Sequence, residues 1–278
     1  MEFRTVVNIE DPGFRIEPCE EVLFVGSCFA DSIGHRFAEE GFPVTVNPYG
    51  TMYNPASVLH TLQRLDSAPF TTAFLTLGTN HIYRLKETGE IVDNCQKRPQ
   101  SLFQEEKLSV DACADYLEQC VTVLREMNPR MRLVFTVSPI RYRKYGYHRS
   151  QLSKSTLLLA IDKLLCGFSQ FSILNSQLSY FPAYELLNDE LRDYRFYASD
   201  MLHPSEQAVD YIWERLVDAY FSPEARAFLE EWRPVKQALG HKPFNPDSPE
   251  YIRFLAQTRC RLQVLQEKYP SLKRFDIS

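Results

Sequence analysis

Val22-Leu23-Phe24-Val25-Gly26-Ser27-Cys28-Phe29-Ala30 runs from an unbroken apolar stretch into a glycine, a serine and the start of a helix. Four consecutive apolar residues without alternation predict a strand buried on both faces, as in a parallel sheet covered by helices. The helix read from residue 30 to 40 carries Ile33 and Phe37 on one face, and Gly41 stops it. Working outward, the pattern repeats. Strands at 44–46 and 73–77 end at Asn47-Pro48-Tyr49-Gly50 and at Gly78. Between them Asn54-Pro55 opens a helix with an N-cap followed by proline, its apolar face formed by Val58, Leu59, Leu62 and Leu65.

Residues 82–92 read as a hairpin turning at Glu87-Thr88-Gly89-Glu90. Further on, a helix at 109–127, a strand at 131–137, a helix at 150–168, a strand at 171–174 and a helix at 205–220 continue the alternation. Strands separated by helices of this length predict right-handed crossovers and a mainly parallel five-stranded sheet covered on both sides. Beyond Ser222 no strand signal remains, and residues 223–239 and 248–268 read as two amphipathic helices joined by a proline-bearing linker, with Phe228, Leu229, Trp232, Ile252, Phe254 and Leu255 expected to be buried against the sheet domain. The expected organisation is therefore a domain over 1–222 and a C-terminal helical extension over 223–278 packed on it.

Composition narrows the function. The 278 residues are 44% hydrophobic and 24% charged, which excludes intrinsic disorder, and a formal net charge of −5 without a long basic block argues against nucleic acid. No apolar run reaches the roughly 18 residues of a membrane span, and the first ten residues lack the apolar core of a secretory signal. The cysteine count, 7, is odd, and no pair has Cys-x-x-Cys spacing, so the expectation is free thiols in the cytoplasm. The histidines show no His-x-x-x-His pair, and neither a dinucleotide-binding nor a P-loop glycine pattern is present, so no metal and no cofactor is expected.

Ligands in open α/β sheets bind at the carboxyl ends of strands. Gly26-Ser27, Tyr49-Gly50 and Gly78-Thr79-Asn80 all stand at such ends, and Asp200-Met201-Leu202-His203-Pro204 precedes the last helix of the sheet domain. Together they contain the parts of an acyl-transfer site. Ser27 is the candidate nucleophile, His203 its base and Asp200 the carboxylate that holds the imidazole. The N–H groups of Ser27 and Gly50 and the Asn80 side-chain amide are candidate oxyanion donors.

Gly26-Ser27-Cys28-Phe29-Ala30 resembles the signature of the GSCFA family, a branch of the SGNH (GDSL-like) hydrolases. The stretches 47–55, Ser138-Pro139-Ile140-Arg141, Gln151-Leu152-Ser153-Lys154 and 189–204 are similar to the same family. The resemblance covers roughly residues 20–220 and leaves the tail outside. It implies a flavodoxin-like, three-layer α/β/α sandwich, with strands in the order 2-1-3-4-5 and Gly26, Gly50 and Gly78 near one edge. It also implies a nucleophile at Ser27, an oxyanion glycine at Gly50, a Gly-x-Asn block ending at Asn80, and an Asp-x-x-His pair at Asp200 and His203. Two departures stand out. The superfamily's first block is usually Gly-Asp-Ser, whereas here serine follows the glycine and Cys28 comes next; and Asn80 is followed by His81. Asn54 and Asn94 are alternates for the third oxyanion donor.

Each candidate also has a plainer role. Ser27 is equally placed to cap a helix, His203 to sit in a turn, Gly50 to form one, and Cys28 to pack as a small buried residue or to act as a thiol nucleophile. The cluster Arg141-Tyr142-Arg143-Lys144-Tyr145 with His148 is either a solvated loop or a substrate rim in which Arg141, Tyr142 and His148 touch a carbohydrate or anionic group. The expected activity is hydrolysis of a short O-acyl ester on a carbohydrate or related small molecule, through an acyl-enzyme. The alternative is a catalytically silent module that binds a glycan or acylated ligand.

Overall fold

The computed structural model describes residues 3–66, 69–93, 95, 98–169 and 177–276. Its centre is a five-stranded parallel sheet. The strands are β1 (Val22–Gly26), β2 (Val44–Val46), β3 (Thr72–Leu77), β7 (Arg132–Val137) and β8 (Leu178–Tyr180), ordered β2-β1-β3-β7-β8. That is the expected 2-1-3-4-5 order. The fifth strand lies at Leu178–Tyr180, and the expected strand at 171–174 falls outside the described residues.

Strand alternation divides the core into two layers. Val22 and Phe24 of β1, with Phe74 of β3 and Val134 of β7, face α1 (Cys28–Glu39) and α6 (Glu206–Tyr220). Leu23, Val25, Leu75 and Phe135 face α2 (Pro55–Gln63), α3 (Val110–Met127) and α4 (Tyr147–Ser169). A short helix, α5 (Ala183–Glu185), continues as a π-helical turn over Leu186–Leu191. Helices α1, α2, α3 and α6 have side-chain N-caps: Ser27, Asn54, Ser109 and Ser205 each accept a backbone N–H of the following helix.

The hairpin is larger than its sequence suggests. β4 (His81–Leu85) pairs antiparallel with β5 (Ile91–Val92) and, on its other side, with β6 (Phe103–Lys107). β6 reads Phe-Gln-Glu-Glu-Lys, carries little strand propensity of its own and buries Phe103 alone. It forms because β4 offers a partner, and the Arg84–Glu106 ion pair at 2.9 Å joins the two strands.

Beyond Ser222, α7 (Pro223–Leu239) and α8 (Pro249–Lys268) pack on the α1 side of the sandwich. Phe228, Leu229 and Trp232 are buried, and Trp232 Nε1 donates to the Glu39 carbonyl at the end of α1 (3.0 Å). Ile252 and Phe254 are exposed instead of buried, because α8 turns Leu262 and Leu265 inward. No helix among the described residues is long and apolar enough to cross a membrane.

Candidate active site

The carboxyl ends of β1, β3 and β7 meet at a cavity of about 280 Å³ lined by Ser27, Cys28, Tyr53, Ser138, Lys154 and His203, with Arg141, Tyr142, Arg143 and Lys144 at its rim. Close backbone approach makes this meeting possible. At Gly26, φ is +147°, and a Cβ would stand 2.0 Å from the Thr76 carbonyl oxygen, so only glycine lets β1 turn into α1 here.

His203 and Asp200 form the expected pair. Asp200 Oδ2 lies 2.5 Å from His203 Nδ1, while Oδ1 accepts the backbone N–H groups of Leu202 (2.9 Å) and His203 (3.0 Å). The backbone donors of His203 and Leu202, and then the imidazole, hold the Asp200 carboxyl down to about 2. With Nδ1–H donated to a carboxylate, Nε2 is left as the acceptor. Arg141 anchors this loop: its N–H donates to the Leu202 carbonyl (3.0 Å), and its guanidinium lies over the rings of Tyr147 and Tyr197.

The atom that meets His203 Nε2 is the Cys28 sulfur, 3.5 Å away. Ser27, the sequence candidate, takes the other role foreseen for it. Its side chain is buried and accepts the Phe29 N–H at 3.3 Å as the N-cap of α1. Cys28 is the first residue of the helix and half-buried, its sulfur turned to the loop. Burial pushes the Cys28 thiol up; its own backbone N–H and the nearby Lys154 charge oppose that.

The three expected oxyanion donors do not converge. Ser27 N–H continues the sheet to the Thr76 carbonyl (3.0 Å), and Gly50 N–H closes a turn on the Asn47 carbonyl (2.8 Å). Asn80 Nδ2 donates to the Leu108 carbonyl (2.7 Å), and its backbone N–H goes to Ser153 Oγ (2.9 Å), so this residue braces the hairpin. Gly50 and Asn80 are absent from the cavity lining. The alternate Asn54 caps α2, accepting Ser57 N–H at 2.9 Å, and Asn94 lies outside the described residues. Of the rim candidates, Arg141 and Tyr142 line the cavity, whereas His148 sits exposed on the first turn of α4 and does not.

Lys154 was not singled out as a site residue. It is 2% exposed, and its Nζ donates to the carbonyls of Gly78 and Ser138, each at 2.7 Å. Burial drives its ammonium down to about 7. A signal existed: Ser150, Lys154, Leu157, Ile161 and Leu164 recur at helical spacing on the buried face of α4, and lysine does not belong in such a row without a task.

Sheet order, layers and the loop-borne carboxylate–imidazole pair define an open, doubly wound α/β protein with its site at the carboxyl ends of the strands. The chain belongs to the GSCFA family, whose model matches residues 21–73 and 67–216. A second model, described as the GSCFA domain protein C-terminal domain, matches residues 232–276, so the tail also belongs to the family's pattern. Among solved structures the chain is similar to a GDSL-like lipase from Bacteroides thetaiotaomicron VPI-5482, with 11% identity, 76% of this chain and 88% of that chain covered, and a TM-score of 0.45. It is also similar to a family 3 carbohydrate esterase from Talaromyces cellulolyticus (10% identity, 76% and 99% covered, TM-score 0.43). A third is a member of the lipolytic protein G-D-S-L family from Veillonella parvula DSM 2008 (12% identity, 72% and 98% covered, TM-score 0.45). A search of curated proteins found no match.

Proposed function

We propose that this protein is an acyl hydrolase that cleaves a short O-acyl ester of a carbohydrate or related small molecule, with Cys28 as its nucleophile. One observation carries the reading: the Cys28 sulfur lies 3.5 Å from His203 Nε2, whose other nitrogen is held by Asp200. That is the nucleophile–base–orienter arrangement of covalent acyl transfer. It also suits the first-block comparison, in which Cys28 occupies the position of the superfamily's serine and Ser27 that of its aspartate.

In the first half-reaction the thiol proton passes to His203 Nε2 and the sulfur adds to the ester carbonyl carbon. Collapse of the tetrahedral adduct breaks the carbon–alkoxide bond, and the imidazolium returns its proton to the departing alkoxide, leaving a thioester on Cys28. Water, deprotonated by His203, then cleaves the thioester and releases the carboxylic acid. The negative oxygen of each adduct forms beside the N-terminus of α1, where the Cys28 N–H is one of the donors no helix carbonyl can accept. A cavity of about 280 Å³ suits a short acyl chain, and Tyr53 and Tyr142 offer faces for a sugar ring. Cys28 is in no disulfide, which fits a reducing, cytoplasmic setting where a catalytic thiol survives.

The test is steady-state hydrolysis of p-nitrophenyl acetate, each variant first checked for folding by circular dichroism. Cys28→Ala and His203→Ala should each lose at least 1,000-fold in kcat/KM, and Ser27→Ala less than about tenfold. Loss confined to Ser27→Ala would make the hydroxyl the nucleophile. A wild-type chain inert on a broad ester panel, and unlabelled at Cys28 by iodoacetamide, would leave the binding module as the function.

A further inference from the structure

Lys154 is a buried cation that the acyl-transfer scheme does not use. It stands on α4 with its ammonium inserted between the ends of β3 and β7, 2.7 Å from each of the Gly78 and Ser138 carbonyl oxygens. Two of its three hydrogens are thereby occupied. The third remains for the cavity that it lines with Cys28. A buried ammonium is ordinarily neutralised by a carboxylate, because carbonyl dipoles do not replace the lost hydration of a full charge. No carboxylate forms a hydrogen bond or ion pair with Lys154 among the described residues; the Tyr184 ring, with its centroid 6.0 Å away, is its other electron-rich neighbour.

We infer that Lys154 is the fixed counter-charge of the Cys28 thiolate, a positioning residue whose ammonium lowers the cost of ionising the sulfur inside the cavity. The inference rests on Cys28 being the nucleophile. Chemistry supplies the reason for such a device. A half-buried thiol ionises reluctantly, and the one close acidic group on its own helix, Asp31, opposes ionisation further. Asp31 is turned away to Asn47 Nδ2 (2.7 Å), so its charge is screened on that side. From the loop side, His203 takes the proton while Asp200 stabilises the resulting imidazolium. Tyr53 lines the same cavity as a neutral phenol, its own ionisation disfavoured by burial. The cations Arg141, Arg143 and Lys144 stand at the rim. Lys154 is thus the cation held inside. The coupling is mutual: burial drives the Lys154 ammonium down to about 7, and the charge of Cys28 is the influence that opposes this.

The experiment follows carbamidomethylation of Cys28 by iodoacetamide from pH 5 to 10, resolved by peptide mass spectrometry, with Cys260 as an exposed internal control. Lys154→Gln keeps a side-chain donor for the strand carbonyls and removes the charge. It should move the midpoint of Cys28 alkylation up by at least one pH unit and leave Cys260 unchanged, while Lys154→Arg stays within half a unit of wild type. An unmoved midpoint in folded Lys154→Gln would overturn the inference and leave Lys154 as a clip between two strand ends. If Lys154→Gln fails to fold, the wild-type chain decides. Lysine ¹³Cε shifts should then show Lys154 titrating at lower pH after Cys28 is capped, and an unchanged titration overturns the proposal. Failure of the nucleophile reading looks different: Cys28 would be no more reactive than Cys260, and His203→Ala would not alter its profile.

Discussion

At the residue scale, one position along the chain separates two chemistries. Ser27 and Cys28 are neighbours at the turn from β1 to α1, but the first is the N-cap and the second begins the helix, so their side chains leave in different directions. The motif shows both residues and does not show which meets the imidazole, because that depends on where the 200–203 loop lies in space. Asp200 predicts a pH behaviour. Its carboxyl is held down to about 2, so it stays ionised through the neutral and mildly acidic range and contributes no acid limb to kcat/KM above pH 5. Below that, the sign is fixed by linkage. A depressed carboxyl stabilises the fold above its ordinary value near 3.8, and the contribution is lost as pH falls through about 2. Asp200→Ala should cost roughly 100-fold less in kcat than Cys28→Ala, since the orienter is less costly to remove than the nucleophile; steady-state kinetics of both variants measures the ratio. Gly26→Ala is predicted to destabilise by about 3–4 kcal/mol in urea unfolding, because its Cβ would be driven into the Thr76 carbonyl.

Elements differ in how much of their formation is local. The helices announced themselves through apolar periodicity and side-chain caps, and the buried strands through continuous apolar runs, so β1, β3 and β7 were legible to within a residue or two. β6 was not, since three of its five residues are charged and its strand conformation comes from pairing with β4. The assignment of Asn80 failed for the same reason. Its amide is taken by the Leu108 carbonyl, a group brought beside it only when β6 returns along β4. The tail helices show clear amphipathic patterns but not their orientation: the apolar pattern places Ile252 and Phe254 in the core, whereas α8 leaves both exposed and buries Leu262 and Leu265. Trp232→Ala should cost roughly 3–5 kcal/mol, because it empties a fully buried site and removes the Nε1 bond to the Glu39 carbonyl. Differential unfolding in urea, with an unchanged m-value, is the check.

Across the whole molecule, the core on the α1 side is shared between sheet and tail. Phe42 packs on Phe228 with ring centroids 5.3 Å apart, and Arg274 donates to the Phe42 carbonyl at 2.7 Å. A chain ending at Ser222 is therefore predicted to expose Phe42, bind a hydrophobic dye and melt at a lower temperature; unchanged solubility and melting would show that the tail is independent. The sequence by itself determined the parallel sheet, the layering, the helix caps and the Asp200–His203 pair, because each depends on local periodicity or on residues within three positions of one another, whereas the strand order came with the resemblance to the family. Only the tertiary structure decided that Cys28 meets His203, that Gly50 and Asn80 spend their donors on turn and hairpin, and that a lysine of α4 lies buried between two strand ends. These outcomes depend on the relative placement of segments as far apart as residues 28, 154 and 203. A side-chain hydrogen bond changes partner over an ångström or two, a distance that no spacing along the chain can specify.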